Sequence, residues 1–186
     1  MTAATQNAAN LLTLARLLCV PPIVMLTANG RFHDAVALFL VAALTDLADG
    51  FVAKRISGTT ALGAILDPLA DKLLMASVFL TLVVAGYLPV WLVALVIGRD
   101  LMIVLGAVAL RVFVGRFRVE PLLIGKLATF VQLVLGGTVL AQLSVLPQVG
   151  GLVPHLMLVT AAVVLASAAA YVHAAMRIWS LARVER

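Results

Sequence analysis

AVALFLVAALTDLADGFVAKRISGTTALGAILDPLADKLLMASVFLTLVVA, residues 35–85, consists of two apolar runs folded back around a polar centre. A helix needs about 20 mostly apolar residues to cross a hydrocarbon core of about 30 Å, and each run approaches that length. Aspartates appear in both runs as they near the centre, where Lys54, Arg55 and the turn-forming Ser57-Gly58-Thr59-Thr60 interrupt them. The stretch therefore reads as two antiparallel membrane helices joined by a short connection.

The rest of the chain repeats the pattern. Of its 186 residues 64% are hydrophobic and 11% charged, against roughly 45–50% and 25% in a soluble domain, which excludes a soluble globular protein. Polar and Gly/Pro breaks delimit six apolar segments, 11–27, 35–53, 61–85, 88–114, 121–146 and 152–181. The expected fold is an all-α integral membrane protein with six transmembrane helices, built as a single domain over residues 1–186 with no separate soluble part. Residues 1–10 hold no Lys or Arg, so the basic start of a secretory signal is missing and the first segment is expected to stay in the mature protein. One cysteine, Cys19, excludes an intramolecular disulfide or a zinc framework.

The net charge of +5 is read as topology rather than as nucleic-acid binding. Lys54 and Arg55 lie in the second connection, Arg111, Arg116, Arg118 and Lys126 surround the fourth, and Arg177, Arg183 and Arg186 lie near the C-terminus. The third and fifth connections carry no basic residue and the first carries Arg31. The positive-inside rule then places both termini and the second and fourth connections in the cytoplasm.

Four of the eight acidic residues, Asp46, Asp49, Asp67 and Asp71, fall within residues 46–71. A carboxylate at membrane depth costs several kcal/mol unless paired, hydrated or metal-bound, so these are functional candidates; capping and loop solvation do not reach Asp46, Asp67 or Asp71. Asp46 and Asp49 are spaced i,i+3 and Gly63, Asp67 and Asp71 i,i+4,i+8, which puts each set on one helix face. Lys54, Arg55 and Lys72 do not neutralise four carboxylates. A divalent metal would, and an all-oxygen set favours Mg²⁺, Mn²⁺ or Ca²⁺ over zinc. Two metals would suit phosphoryl transfer. Gly50, Ala53, Gly63 and Ala64 leave room for close helix approach or for a phosphate-bearing ligand.

In full, residues 46–71 read DLADGFVAKRISGTTALGAILDPLAD. This resembles the signature of the CDP-alcohol phosphotransferase family, D-x2-D-G-x2-A-R-x8-G-x3-D-x3-D, with every spacing kept. Lys54 stands where the pattern has Arg, with Arg55 next; a lysine supplies a point charge without the bidentate fork. The resemblance implies six helices with cytoplasmic termini, a homodimer, and transfer of a phosphatidyl group from CDP-diacylglycerol to an alcohol with release of CMP. It further implies that Asp46, Asp49, Asp67 and Asp71 hold Mg²⁺ or Mn²⁺, two ions in all, that Asp71 also acts as base, and that Asp49, Gly50, Ala53, Lys54, Gly63 and Asp67 bind the CDP moiety. LGAILDPLADKLL (62–74), GRDLMIV (98–104) and PLLIGKLATFVQ (121–132) resemble the cardiolipin synthases that use CDP-diacylglycerol. Phosphatidylglycerophosphate synthases share the aspartates and the GK-x-x-T-x-x-Q stretch, leaving the Arg99-Asp100 region to discriminate.

Outside the signature, Arg99 lies midway along the fourth segment, where an isolated guanidinium is costly. Adjacent helical positions diverge, so a purely local pair with Asp100 is disfavoured; Arg99 is expected to face a polar cavity and draw an acceptor phosphate, or else to pair with an aspartate across the bundle. Lys126, Thr129 and Gln132 form a polar stripe expected to face the same cavity. Arg111 and Arg118 stand as further acceptor-binding candidates, although juxtamembrane arginines are expected there regardless. Tyr87, Trp91, Tyr171 and Trp179 read as interfacial anchors, and His33, His155 and His173 lack metal-ligand spacing.

The expected function is a membrane phosphatidyltransferase of phospholipid biosynthesis in the cell inner membrane, with its active site near the cytoplasmic face. Its expected acceptor is phosphatidylglycerol, giving cardiolipin; the alternative is glycerol 3-phosphate, giving phosphatidylglycerophosphate. A divalent-cation transporter would also want intramembrane carboxylates, but spread along a path rather than gathered near one side. A catalytically dead scaffold fits poorly with four aspartates in register. The partners expected are CDP-diacylglycerol, the acceptor, the bilayer and a second copy, with no nucleic acid.

Overall fold

The computed structural model describes residues 17–53, 63–115 and 122–184, and for 44–53, 63–71, 181, 183 and 184 describes the backbone alone. Among these residues there are helices and turns and no strand. The helices are α1 (Leu17–Ala28), α2 (Phe32–Ala53), α3 (Gly63–Val84), α4 (Val90–Phe113), α5 (Leu123–Gln142) and α6 (Val153–Val184), with a 3-10 turn at Pro147–Leu152 before the last.

Helix ends follow local chemistry. Gly30 and Gly86 adopt φ of 71° and 81°, left-handed values that only glycine takes without strain. At each, the next residue closes back on the helix: Arg31 N to Leu26 O at 2.9 Å and Tyr87 N to Leu82 O at 2.8 Å. Glycine N–H bonds to Thr27 O and Val83 O complete two Schellman caps, which satisfy carbonyls that lipid could not. α2 starts three residues ahead of the apolar run because Asp34 lies in its first turn, paired to Arg31 through Nε at 2.8 Å. α5 stops at Gln142 rather than 146: the amides of Val145 and Leu146 both return to Ala141 O, and the next residue is Pro147, which disfavours helix before it.

The chain forms two compact units. The first contains residues 1–88 and 136–150, hence α1, α2, α3 and the end of α5. Ile23, Phe39, Phe79, Leu82, Val139 and Leu140 are buried there. Thr27 and Thr81 donate their hydroxyls to Ile23 O and Ser77 O, so polar atoms on apolar helices are satisfied internally.

The second unit contains residues 89–135 and 151–186. Val96, Ala128 and Val164 form one buried cluster from α4, α5 and α6. Further along, Arg99 reaches Ser167 and Phe113 meets Trp179. Residue numbers rise together on α4 and α6, so those helices run parallel. Gly125, three residues before Ala128, lies beside Arg99, so α5 runs against them. Because α4 and α6 run parallel, Arg111 and Arg177 lie toward one end of the unit, while Lys126, next to Gly125, lies near the level of Arg99.

Among the described residues three stretches are long and apolar enough to cross a membrane: Val90–Phe113, Leu123–Gln142 and Pro147–Ser180, with mean hydropathies of 2.2, 1.7 and 2.1. Leu17–Ala28, Phe32–Ala43 and Lys72–Val84 are shorter apolar helices among the described residues.

Candidate active site

Asp46, Asp49, Gly50 and Ala53 lie on the backbone of α2, and Gly63, Asp67 and Asp71 on that of α3. The helical spacing expected of them therefore holds: Asp46 and Asp49 share one face of α2, and the Gly63-Asp67-Asp71 row one face of α3. Their side chains, together with Lys54 and Arg118, lie outside the described residues. Among the described residues no three His, Cys, Asp or Glu side chains gather.

Packing below this region sets its height. Phe39 of α2 and Met75 and Phe79 of α3 converge on Gly136 of α5, where a Cβ would stand 3.7–3.8 Å from all three. Asp46 is seven residues beyond Phe39, and Asp71 is four before Met75 and eight before Phe79, so both lie within about 6–12 Å of helix from that junction. Both offsets point toward the 54–62 connection. The aspartate-bearing turns of α2 and α3 thus lie on the same side of that junction.

A second polar centre lies in the other unit. Arg99 is 7% exposed on α4. Its Nε and Nη2 donate to Ser167 Oγ at 3.1 and 2.6 Å, and Nη1 donates to Asp100 Oδ1 at 2.6 Å. The guanidinium also lies over the Tyr171 ring, 5.6 Å from its centroid. Leu122 N donates to Tyr171 Oη at 3.3 Å, which draws the start of α5 into the same cluster.

Arg99 pairs with Asp100 but not with it alone: Ser167 and Tyr171 of α6 share the guanidinium, so the pair is not purely local, and the partner across the bundle is a hydroxyl rather than an aspartate. A buried guanidinium away from water must find a carboxylate, and Arg is long enough to turn back to the adjacent one. Tyr171, expected as an interfacial anchor, instead caps the guanidinium. Ser167 went unremarked in the sequence. The signal was the i,i+4 spacing of Ser167 and Tyr171, two polar residues on one face of the alanine-rich ASAAAY.

The stripe on α5 also divides. Lys126 and Thr129 are exposed, whereas Gln132 is 3% exposed. At 100° per residue, positions 126 and 132 are 120° apart, too far to share one environment. Gln132 Nε2 and Thr160 Oγ1 are buried without a hydrogen-bond partner among the described residues. Arg111, in the last turn of α4, is exposed.

The sequence profile of the CDP-alcohol phosphatidyltransferases matches residues 6–179. The chain belongs to the CDP-alcohol phosphatidyltransferase family. It is 40% identical over 166 residues, 86% of its length and 75% of the relative's, to a probable phosphatidylglycerophosphate synthase of Mycobacterium tuberculosis. It is 38% identical over 113 residues, 60% of its length and 36% of the relative's, to a cardiolipin synthase (CMP-forming) of Rattus norvegicus. A third relative, the CDP-diacylglycerol–glycerol-3-phosphate 3-phosphatidyltransferase of Pseudomonas fluorescens, is 39% identical over 103 residues, 52% of each chain. As a CDP-alcohol phosphatidyltransferase the chain is a membrane enzyme of phospholipid biosynthesis, which sets the transporter and scaffold readings aside.

Proposed function

We propose that this phosphatidyltransferase joins CDP-diacylglycerol to phosphatidylglycerol, forming cardiolipin and releasing CMP. Support comes from the state of Arg99. A small soluble dianion such as glycerol 3-phosphate needs a concentrated basic pocket. The one guanidinium at depth on α4 has its charge matched by Asp100 and its donors turned to Ser167. A phosphodiester lipid carries one charge and enters from the bilayer, so exposed Lys126 and Arg111, with Arg118, suffice to attract it. The second reading, phosphatidylglycerophosphate synthase, is favoured by the 86% of the chain aligned with a relative of that name.

The donor set fits a divalent-metal centre: four carboxylates on two helices beside one connection, with oxygen ligands alone. Asp46, Asp49, Asp67 and Asp71 would hold two Mg²⁺ or Mn²⁺ ions, which supply charge neutralisation to the diphosphate and to the departing CMP. Gly50, Ala53 and Gly63 leave space against the helices for the cytidine, with Asp49, Asp67 and Lys54 contributing polar contacts. Asp71 takes the proton of the acceptor hydroxyl as its oxygen bonds to the phosphorus carrying diacylglycerol, and the bond from that phosphorus to the CMP oxygen breaks. The enzyme spans the inner membrane six times as a homodimer, with both termini and the aspartates toward the cytoplasm, in keeping with Arg111 and Arg177 lying toward one end of the second unit.

Purified enzyme offered CDP-diacylglycerol, Mg²⁺ or Mn²⁺ and each acceptor separately tests this reading. Cardiolipin and CMP should form from phosphatidylglycerol, with little phosphatidylglycerophosphate from glycerol 3-phosphate. The reverse ranking establishes the second reading.

A further inference from the structure

A trough of about 410 Å³ runs between α4 and α6 in the second unit, within the size range of small-ligand sites. Its floor is low because Gly106, Ala107 and Ala175 line it, and its walls are formed by aliphatic side chains such as Ile103 and Leu110. Tyr171, the residue under the Arg99 guanidinium, closes one end, and Trp179, packed edge-on against Phe113 at 6.1 Å, closes the other. From Met102 to Leu110 it extends about 12 Å along the helix, close to the hydrocarbon depth of about 15 Å that one leaflet provides.

Charge is present at one end of this trough. Arg111 follows Ile103 and Ala107 at i+8 and i+4, on the same face of α4, and Arg177 follows Ala174, another lining residue, at i+3 on α6. Both arginines are exposed. The end that holds them also holds the Phe113–Trp179 pair, and aromatic rings beside basic residues are the usual composition of a membrane interface. An apolar slot of one leaflet's depth, with two cations at its interfacial mouth, is complementary to one amphiphile.

We propose that the α4–α6 trough is a binding site for an anionic phospholipid of the surrounding leaflet, seating an acyl chain between the helices and its phosphate at Arg111 and Arg177. A second copy of the chain would bring apolar side chains to the walls, which makes it the competing occupant. The site holds whichever alcohol the aspartate centre uses, and it would lock α4 to α6 on the flank where the two are otherwise separated.

The enzyme reconstituted in phosphatidylcholine vesicles, with a few per cent of phosphatidylglycerol carrying a photoreactive diazirine in its acyl chain, tests the site without CDP-diacylglycerol and hence without turnover. Labelling should concentrate on peptides containing Ile103, Ala107 and Ala175. It should be competed by unlabelled phosphatidylglycerol and not by added phosphatidylcholine. Gly106→Leu or Ala175→Leu should each lower it about tenfold, the factor expected when about two methylenes are denied burial. Arg111→Gln and Arg177→Gln should each reduce the preference for phosphatidylglycerol about fivefold while leaving chain labelling in place. Labelling spread evenly over the lipid-exposed Leu158 and Leu165, or insensitive to competition, overturns the proposal. So does efficient disulfide formation between copies carrying Ile103→Cys with Cys19→Ser, because a second copy would then fill the trough.

Discussion

Arg99 on α4 holds Ser167 on α6 through two donors, Nε at 3.1 Å and Nη2 at 2.6 Å. One hydroxyl oxygen thus accepts twice from a cation, while Asp100 takes the opposite edge of the guanidinium. Hydrogen bonds to charged groups are worth more than neutral ones, and in an apolar surrounding the alternative is an unsatisfied donor. The pair therefore fixes the register of two parallel helices at the level where α5 crosses them.

Ser167→Ala should lower stability by about 1.5–3 kcal/mol, since both donors lose their acceptor together. Differential scanning fluorimetry in a mild detergent reads this as a fall in melting temperature of about 2–4 °C per kcal/mol. Arg99→Lys should cost a similar amount, because one ammonium cannot reproduce the planar fork that faces Ser167 and Asp100. An unchanged melting temperature in both variants would show that the clamp does not hold α4 to α6.

Gly125 has a steric reason to be glycine. A Cβ there would stand 2.8 Å from Tyr171 Oη, 3.1 Å from its ring and 3.2 Å from Arg99 Nη2. Gly125→Ala should destabilise by about 1–3 kcal/mol through overpacking. Removing the nearest atom with Tyr171→Phe should recover part of that, so the double variant loses less than the two singles added, by at least about 0.5 kcal/mol. Strict additivity would mean the contact is relieved elsewhere.

How far the sequence carries can be judged at these residues. The helical placement of Asp46, Asp49, Asp67 and Asp71 was legible because spacing in a helix is geometry, and apolar runs bounded by glycines announced most helix ends, as Gly30 and Gly86 bear out. Arg99 was legible as an anomaly, since a cation in an apolar run is rare. Its partners were not, because Ser167 is 68 positions away and only the fold brings it near. The division of the Lys126-Thr129-Gln132 stripe was hidden for a different reason: an i,i+3,i+6 series looks continuous in sequence, yet turns through 120° on the helix.

The aspartates should divide by role. Asp49→Asn or Asp67→Asn removes a proposed metal ligand, so turnover should fall by several orders of magnitude and the Mg²⁺ or Mn²⁺ requirement should rise. Asp71→Asn keeps size and removes the base, so CDP-diacylglycerol should still bind while transfer nearly stops. Parallel binding and single-turnover measurements separate the two outcomes. Near-normal transfer by Asp49→Asn at ordinary metal concentration would remove it from the ligand set.

Topology can be checked at three connections. In a Cys19→Ser background, cysteines placed at Thr59 and Arg116 should react with an impermeant thiol reagent from the cytoplasmic side, and one at Gln148 from the opposite side. The basic-residue asymmetry gives this expectation, and the parallel run of α4 and α6 with α5 against them agrees with its alternation. Thr59 and Gln148 reacting from one side would sink the six-span arrangement.

Gln132 offers a test in which stability and activity should part. Its side chain is 3% exposed and Nε2 lacks a hydrogen-bond partner among the described residues. An amide donor left unsatisfied costs about 1–3 kcal/mol, and at membrane depth water is not at hand to relieve it. Met matches Gln in length, has no donor and adapts its shape to the surrounding side chains, so Gln132→Met should raise the melting temperature. A donor left unpaired in the resting fold is free to serve the reaction, for example by donating to a lipid ester or phosphate oxygen that arrives with substrate. Gln132→Met should therefore transfer phosphatidyl groups more slowly while melting higher, with KM raised more than kcat is lowered. A variant that melts higher and turns over at the original rate would show that the amide takes no part, and that α5 carries it as a cost alone.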